Sequence, residues 1–124
     1  MAHRHNPGFL RVVDAAKARI REVTCAELLS EQRGPTPPRV LDVREESEFA
    51  QDRVAGSEHL GKGILERDVE ERVPDPNTPL VLYCGGGFRS ALAADVLQTM
   101  GYTDVRSLAG GIRAWREAGY PLEA

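Results

Sequence analysis

The feature that most restricts the fold is the apolar run LVLYC at positions 80–84, which is followed directly by three glycines. Apolar residues without alternation are typical of a strand covered on both faces, as in a parallel sheet. After the glycines, SALAADVLQTM places Leu92, Val96 and Leu97 on one helical face, and Gly101 follows where a C-cap glycine belongs. A strand, a glycine turn and a helix in this order predict a βα unit.

Other segments repeat this order. RVLDVR at 39–44 runs into the acidic helix start EESEF, and YTDVRSL at 102–108 runs into GGIRAWREA. Thr24 and Glu27 predict a capping box at the start of a helix in TCAELLSEQ. Strands that alternate with helices predict an α/β fold with a central, mostly parallel sheet.

A chain of 124 residues is long enough for one core, so we expect one domain. We predict an N-terminal extension at residues 1–20 and the folded domain at 21–124. The extension is expected to be helical, because Val12, Val13, Ala16 and Ile20 have helical spacing.

Composition excludes several functions. A net charge of −3 with scattered arginines argues against nucleic acid, and no apolar run is long enough to span a membrane. The start of the chain does not resemble a secretory signal, so we expect a cytoplasmic protein. Two cysteines indicate neither a disulfide scaffold nor a zinc site. His3 and His5 form too weak a pair for a metal, and we expect no metal and no cofactor.

The glycine-rich loop predicts chemistry at Cys84, because ligands of parallel sheets bind at the carboxyl ends of the strands. Gly85, Gly86 and Gly87 carry no side chains to block an approach, and they allow backbone amides to turn inward around an anion. The following helix start and Arg89 add positive charge. The loop is therefore expected to stabilise a thiolate and to bind an anion.

Three other kinds of site also use a glycine-rich turn between a strand and a helix. A Walker loop requires lysine and Ser/Thr where Phe88 and Arg89 stand. A dinucleotide fingerprint requires an acidic residue at the end of the next strand, whereas Asp104 stands at its start. A cysteine phosphatase uses the same thiolate, amides and arginine, so only geometry separates it from other thiolate enzymes.

The loop CGGGFRS resembles the six-residue active loop of the single-domain rhodanese family of sulfurtransferases. LDVRE with the following EF, and SLAGGIRAWREAGYP, resemble two further signatures of that family, and the similarity covers roughly residues 21–122. The resemblance implies a three-layer α/β/α domain with a central, mostly parallel sheet at 21–124.

The resemblance also implies a mechanism. Cys84 would take the outer sulfur of thiosulfate or a persulfide, a small anionic donor, and pass it to cyanide, a thiol or a protein partner. The implied catalytic residues are Cys84 and Arg89, and the implied donor-binding residues are Gly85, Gly86, Gly87, Phe88 and Ser90. Asp42 and Arg44 are expected mainly to brace the site through hydrogen bonds and ion pairs.

One departure and two alternatives accompany the resemblance. The family's middle motif, usually Gly-His-Ile-Pro-Gly-Ala, is DRVAGS at 52–57, where only Gly56 is retained outright. Related phosphatases carry one more loop residue and usually a histidine where Tyr83 stands, so the shorter loop favours sulfur. A non-catalytic rhodanese-like binding module is the other alternative, although such modules often lack the cysteine.

Four further residues have a structural and a functional interpretation. Cys25 follows an N-cap and could be acidified by its helix, but packing is the favoured interpretation. Lys62 could attract an anionic donor, although a solvated lysine is favoured. His59 is expected to pack or to lie at the surface rather than act as a base. Trp115 is expected in the core.

Overall fold

The computed structural model describes residues 5–124 of the chain. Seven strands are present in these residues: β1 Arg21–Val23, β2 Arg39–Asp42, β3 Arg53–Val54, β4 Glu58–His59, β5 Leu80–Tyr83, β6 Val105–Leu108 and β7 Leu122–Glu123. Six α-helices accompany them: α1 Pro7–Lys17, α2 Cys25–Gln32, α3 Glu46–Gln51, α4 Leu65–Arg72, α5 Phe88–Thr99 and α6 Gly111–Glu117. A 3-10 turn, Lys62–Ile64, leads into α4.

The central sheet has five strands in the order β1-β6-β5-β2-β4, and every neighbouring pair is parallel. The strand β5 lies in the middle, with Tyr83 opposite Asp42 on one side and Leu82 opposite Ser107 on the other. The strands β3 and β7 form a separate antiparallel pair. The predicted mostly parallel sheet is confirmed.

Each face of the sheet packs against its own core, which explains the apolar run in β5. Leu80 and Leu82 belong to a cluster with side chains of α4 and α5. Val81 and Tyr83 belong to a second cluster with side chains of α2 and α6. Successive side chains of a strand point to opposite faces, so β5 must be apolar at every position. The result is the expected three-layer α/β/α arrangement.

The predicted helix ends are present. Glu27 N–H donates to Thr24 Oγ1 over 3.1 Å, and Thr24 N–H donates to Glu27 Oε1 over 2.9 Å, which completes the capping box. Gly101 follows α5 with φ +106°, and Tyr102 N–H donates back to Leu97 O. This backbone conformation and bonding pattern are those of a glycine-terminated helix end.

The helix predicted in the N-terminal segment is present as α1, which packs along α5. Val13 and Ala16 are fully buried, whereas Val12 is 53% exposed. Leu92 and Val96 are only partly buried, because the apolar surface of α5 is divided between the sheet and α1. The division of the chain into an extension at 1–20 and a domain at 21–124 stays a prediction.

Tyr83 ties the central strand to the segment 52–57. Its side chain is buried, and its hydroxyl accepts a hydrogen bond from Val54 N–H over 3.1 Å and lies 2.9 Å from Ser57 Oγ. Burial raises the pKa of Tyr83, although the bonds to Ser57 and Val54 oppose the shift, so the hydroxyl stays neutral. The segment that departs from the family's middle motif is therefore hydrogen-bonded to the residue that directly precedes Cys84.

We predict that Tyr83→Phe lowers the free energy of unfolding by about 1–3 kcal/mol, because it leaves the buried Val54 N–H without its partner. Urea unfolding followed by circular dichroism measures the loss. Tyr120→Phe is the matched control, since the Tyr120 hydroxyl makes no hydrogen bond to any residue within 5–124, and it should change stability by less than about 0.5 kcal/mol. Equal losses in the two variants would contradict this interpretation.

Candidate active site

Cys84 follows β5 directly, and its sulfur is held by backbone amides. Its Sγ accepts hydrogen bonds from Gly87 N–H over 3.2 Å and from Ser90 N–H over 3.4 Å. The residue exposes none of its surface to water. Two amides that already point at Sγ place partial positive charge where a sulfur anion needs it.

Two buried hydroxyl groups extend this environment behind the sulfur. The Cys84 thiol donates to Ser90 Oγ over 3.5 Å, and Ser90 Oγ lies 2.8 Å from Ser107 Oγ. When the sulfur is ionised, the Ser90 hydroxyl can donate to it while accepting a hydrogen bond from Ser107. The sequence analysis missed Ser107, whose signal is a polar residue inside a strand that neighbours β5.

The helix α6 fixes the direction of the loop backbone. Ile112 N–H donates to Cys84 O over 2.9 Å, and Arg113 N–H donates to Gly85 O over 3.1 Å. Because these carbonyls accept hydrogen bonds from α6, the other loop amides do not pair with them and stay available to bind other groups. Four of them make no hydrogen bond to any residue in the described part of the chain, namely those of Gly85, Gly86, Phe88 and Arg89. Unpaired amides of this kind are suited to binding an anion.

The contact between the loop and α6 requires glycine at two points. Gly111 has φ +58°, and a Cβ there would lie 2.5 Å from both Cys84 O and Gly85 O. Gly87 has φ +95°, and its Cβ would lie 3.2 Å from Leu108 O. Both backbone conformations and both close approaches are accessible to glycine without strain.

A cavity of about 280 Å³ lies over the loop. Its lining includes the four residues with unpaired amides, together with Cys84, Arg113, His5 and Phe9. Because Cys84 itself is covered, the loop must open slightly when a molecule in the cavity reaches Sγ. No sequence pattern predicts that Arg113, His5 and Phe9 line this cavity, because nothing local links α1 or α6 to the loop.

Arg89 lines the cavity and is paired with Glu48 of α3. Its Nη atoms lie 3.2 and 3.4 Å from the two carboxylate oxygens. Burial works against the charged guanidinium, but the hydrogen bonds and charge of Glu48 outweigh it and raise the pKa of Arg89. Burial likewise disfavours the charged form of the Glu48 carboxyl, yet its hydrogen bonds to Arg89 lower its pKa. Both groups stay ionised, and the pair links α3 to the first turn of α5.

The strand, loop and arginine match a known family. Residues 24–118 match the family model described as the rhodanese-like domain. This chain belongs to the rhodanese-like domain family. It is 37% identical over 84 residues to the thiosulfate sulfurtransferase GlpE of Pseudomonas fluorescens, covering 68% of this chain and 74% of the relative. It is 33% identical over 73 residues to the thiosulfate sulfurtransferase PspE of Escherichia coli, covering 59% and 69%.

Solved structures agree with the family. A protein of unknown function from Rhodopseudomonas palustris, described as a possible tyrosine phosphatase, superposes with a TM-score of 0.83 at 32% identity over 99% of both chains. The polysulfide-sulfur transferase homodimer of Wolinella succinogenes superposes with a TM-score of 0.78 at 28% identity, covering 94% of this chain and 87% of that one. Both structures share the fold of this chain over more than nine-tenths of its length.

Within this rhodanese-like site, Asp42 and Arg44 lie beside the loop strand and outside the cavity. Their side chains are buried, and Asp42 accepts hydrogen bonds from Arg44 N, Nε and Nη2 at 2.7–3.1 Å. Arg44 Nη2 also donates to Asp52 O over 2.7 Å. Their hydrogen bonds connect the end of β2 to the segment that precedes β3.

The remaining candidates lie away from the cavity of this rhodanese-like domain. Lys62 does not line it, and His59 Nε2 bonds to Arg44 O over 2.8 Å. Cys25 is half-buried, and burial raises the pKa of its thiol, so acidification by the helix was the wrong alternative. Trp115 is fully buried, which confirms its place in the core.

Two observations concern ligands and membranes. Among residues 5–124 there is no group of three or more His, Cys, Asp or Glu side chains that could hold a metal ion. His3 lies outside the described residues, so the His3/His5 pair cannot be located. None of the described helices combines the length and apolar character needed to cross a membrane.

We predict that Gly111→Ala lowers the free energy of unfolding by about 2–5 kcal/mol, because a methyl group meets two loop carbonyls at a left-handed position. It should also shift the amide NMR signals of the loop. Gly119→Ala is the control: Gly119 has φ +75° with no atom within 4 Å of the added Cβ, so strain alone should cost about 1–2 kcal/mol. Equal costs and unshifted loop signals would show that α6 does not position the loop.

Proposed function

We propose that this protein is a sulfurtransferase that carries sulfane sulfur as a persulfide on Cys84. The observation that carries the proposal is the Cys84 Sγ, held by two amides in a loop whose residues line a cavity, four of them with unpaired amides. The names of the curated relatives, thiosulfate sulfurtransferases, support the same chemistry.

In the first step, the Cys84 thiolate attacks the outer sulfur of thiosulfate. A bond forms between Sγ and that sulfur, the sulfur–sulfur bond of the donor breaks, and its electron pair leaves with sulfite. The step consumes no proton and uses no cofactor. The unpaired loop amides hold the negative charge of the donor and then of the persulfide, and each good donor of this type contributes about 3 kcal/mol.

In the second step, cyanide or the thiolate of an acceptor attacks the terminal sulfur. The bond to Sγ breaks, and its electron pair returns to Cys84, where the amides of Gly87 and Ser90 stabilise the thiolate. A small thiol persulfide or a protein persulfide can replace thiosulfate as donor by the same exchange. Donor and acceptor use one cavity in turn, so we expect ping-pong kinetics.

The two arginines of the cavity have separate roles in this proposal. Arg89 orients the donor's oxygens and holds the loop, and its pairing with Glu48 favours the holding role. The Arg113 side chain makes no salt bridge or hydrogen bond to any residue within 5–124, so its full charge is available to an anionic donor. Asp42 and Arg44 brace the strand beside the loop. A reduced Cys84 suits the cytoplasmic location, which stays a prediction.

Phosphate ester hydrolysis is the second candidate, because the Rhodopseudomonas palustris structure is described as a possible tyrosine phosphatase. An alkoxide or phenolate leaving group needs a proton from a positioned acid, whereas sulfite leaves without one. Within the described residues, neither Asp nor Glu lines the cavity, so only the imidazole of His5 could serve as that acid. The site therefore favours sulfur transfer.

We predict that wild type incubated with thiosulfate gains the mass of one sulfur atom and releases thiocyanate when cyanide is added. Cys84→Ser should take up no sulfur and lose at least ~10³-fold in rate, because it lacks the thiolate nucleophile. Cys25→Ser is the matched control and should match wild type, since Cys25 lies outside the cavity. Intact-mass spectrometry and a thiocyanate assay measure both.

Three outcomes would contradict the proposal. Sulfur transfer by Cys84→Ser at the wild-type rate would exclude the persulfide at this position. Hydrolysis of an aryl phosphate without sulfur uptake would establish the phosphatase alternative. Failure of thiosulfate and of small persulfide donors alike, with wild type fully folded, would favour the non-catalytic binding module.

A further inference from the structure

Three aromatic rings lie together at the cavity over Cys84. His5 lies 4.3 Å from Phe88 and 5.3 Å from Phe9 between ring centroids, and Phe9 lies 6.2 Å from Phe88. All three residues line the cavity. We call these three residues the aromatic wall; two of them precede or belong to α1, and the third opens α5.

The aromatic wall is held in place by the packing of α1 on α5. Val13 and Ala16 of α1 are fully buried, so the helix is anchored close to the wall. Beyond the end of α1, Arg19 forms a bidentate ion pair with Asp95 of α5, with distances of 2.9 and 2.7 Å. The Lys17 ammonium lies 4.9 Å from the Phe88 ring centroid, a favourable cation–π distance.

The cavity is lined both by apolar rings and by a cation. The aromatic wall supplies the rings. Arg113 supplies cationic charge near the loop, since a Cβ on Gly86 would lie 3.3 Å from its Nη1 and 3.6 Å from the Phe88 ring. The volume of about 280 Å³ is close to that of small organic ligand sites and is much larger than a five-atom anion such as thiosulfate needs. An inorganic donor would make no use of the apolar surface of Phe9 and Phe88.

We propose that the aromatic wall selects organic sulfur donors, in which the transferable sulfur is attached to an apolar body through an anionic group. This inference rests on the proposed function and names its substrate class. Phe9 and Phe88 contact the body, and the loop amides and Arg113 bind the anionic group. Phe9 is then a specificity-determining residue contributed by α1.

An organic thiosulfonate follows the same balanced step as thiosulfate. The Cys84 thiolate forms a bond to the outer sulfur, the bond between that sulfur and the sulfonyl sulfur breaks, and the electron pair leaves with the organic sulfinate. No oxidant, reductant or proton enters. Benzenethiosulfonate differs from thiosulfate in carrying a phenyl group in place of one oxygen and in having one negative charge instead of two. A ratio compared between variants cancels this fixed charge difference, so the two compounds serve as a pair of probes.

The test compares kcat/KM for benzenethiosulfonate and for thiosulfate, with cyanide as acceptor, and follows the ratio of the two values. In Phe9→Ala the ratio should fall by about 5–20-fold, because the phenyl group loses apolar contact and ring packing. Phe9→Leu, which keeps an apolar side chain, should give an intermediate ratio. Val12→Ala, on the exposed side of α1, should keep both wild-type values.

A second measurement uses the wild-type chain and does not depend on a variant that folds. Benzenesulfinate, the product left by the organic donor, should show nuclear Overhauser effects from its ring protons to the ring protons of Phe9 and Phe88. An unchanged ratio in Phe9→Ala, or no such contacts with bound benzenesulfinate, would overturn the inference while thiosulfate turnover still supported the proposed function. Wild type that uses neither donor would instead contradict the proposed function itself.

Discussion

The site depends on one backbone contact: the amides at the start of α6 bind the carbonyls of the loop that begins at Cys84. Because Cys84 O and Gly85 O accept hydrogen bonds from α6, the loop amides do not bind these carbonyls. They can instead bind the sulfur or a molecule in the cavity. Gly111 permits this contact, because any side chain there would collide with both carbonyls. A loop suited to binding anions thus follows from where a helix begins, and the arginines add to a cradle that the backbone has already formed.

The strands on both sides of β5 hold that cradle in position. Ser107 of β6 supports the hydroxyl of Ser90, while the buried Asp42–Arg44 pair closes the end of β2. Tyr83, just before the loop, binds the segment 52–57, which is where this chain departs most from its family. The tyrosine thus ties this divergent segment to the strand that carries the loop.

The sequence predicted the elements whose signals are local. The strand β5 is a continuous apolar run, the capping box of α2 needs two residues three apart, and the loop is a contiguous motif. Strands β1, β3, β4 and β7 were missed because two or three residues give no periodicity. The partners Glu48, Arg113 and Phe9 were missed for another reason: each reaches the loop from a distant segment, and only the packing of α1, α3 and α6 determines which side chains meet there.

The most direct test of this account is a crystal structure of the wild-type protein after reaction with thiosulfate. The account predicts one added sulfur atom bonded to Cys84 Sγ, within hydrogen-bonding distance of the loop amides that have no protein partner, and no change at Cys25. An added sulfur directed away from those amides, or sulfur bonded to Cys25 instead, would contradict the central claim that the backbone of this loop is built to hold a persulfide.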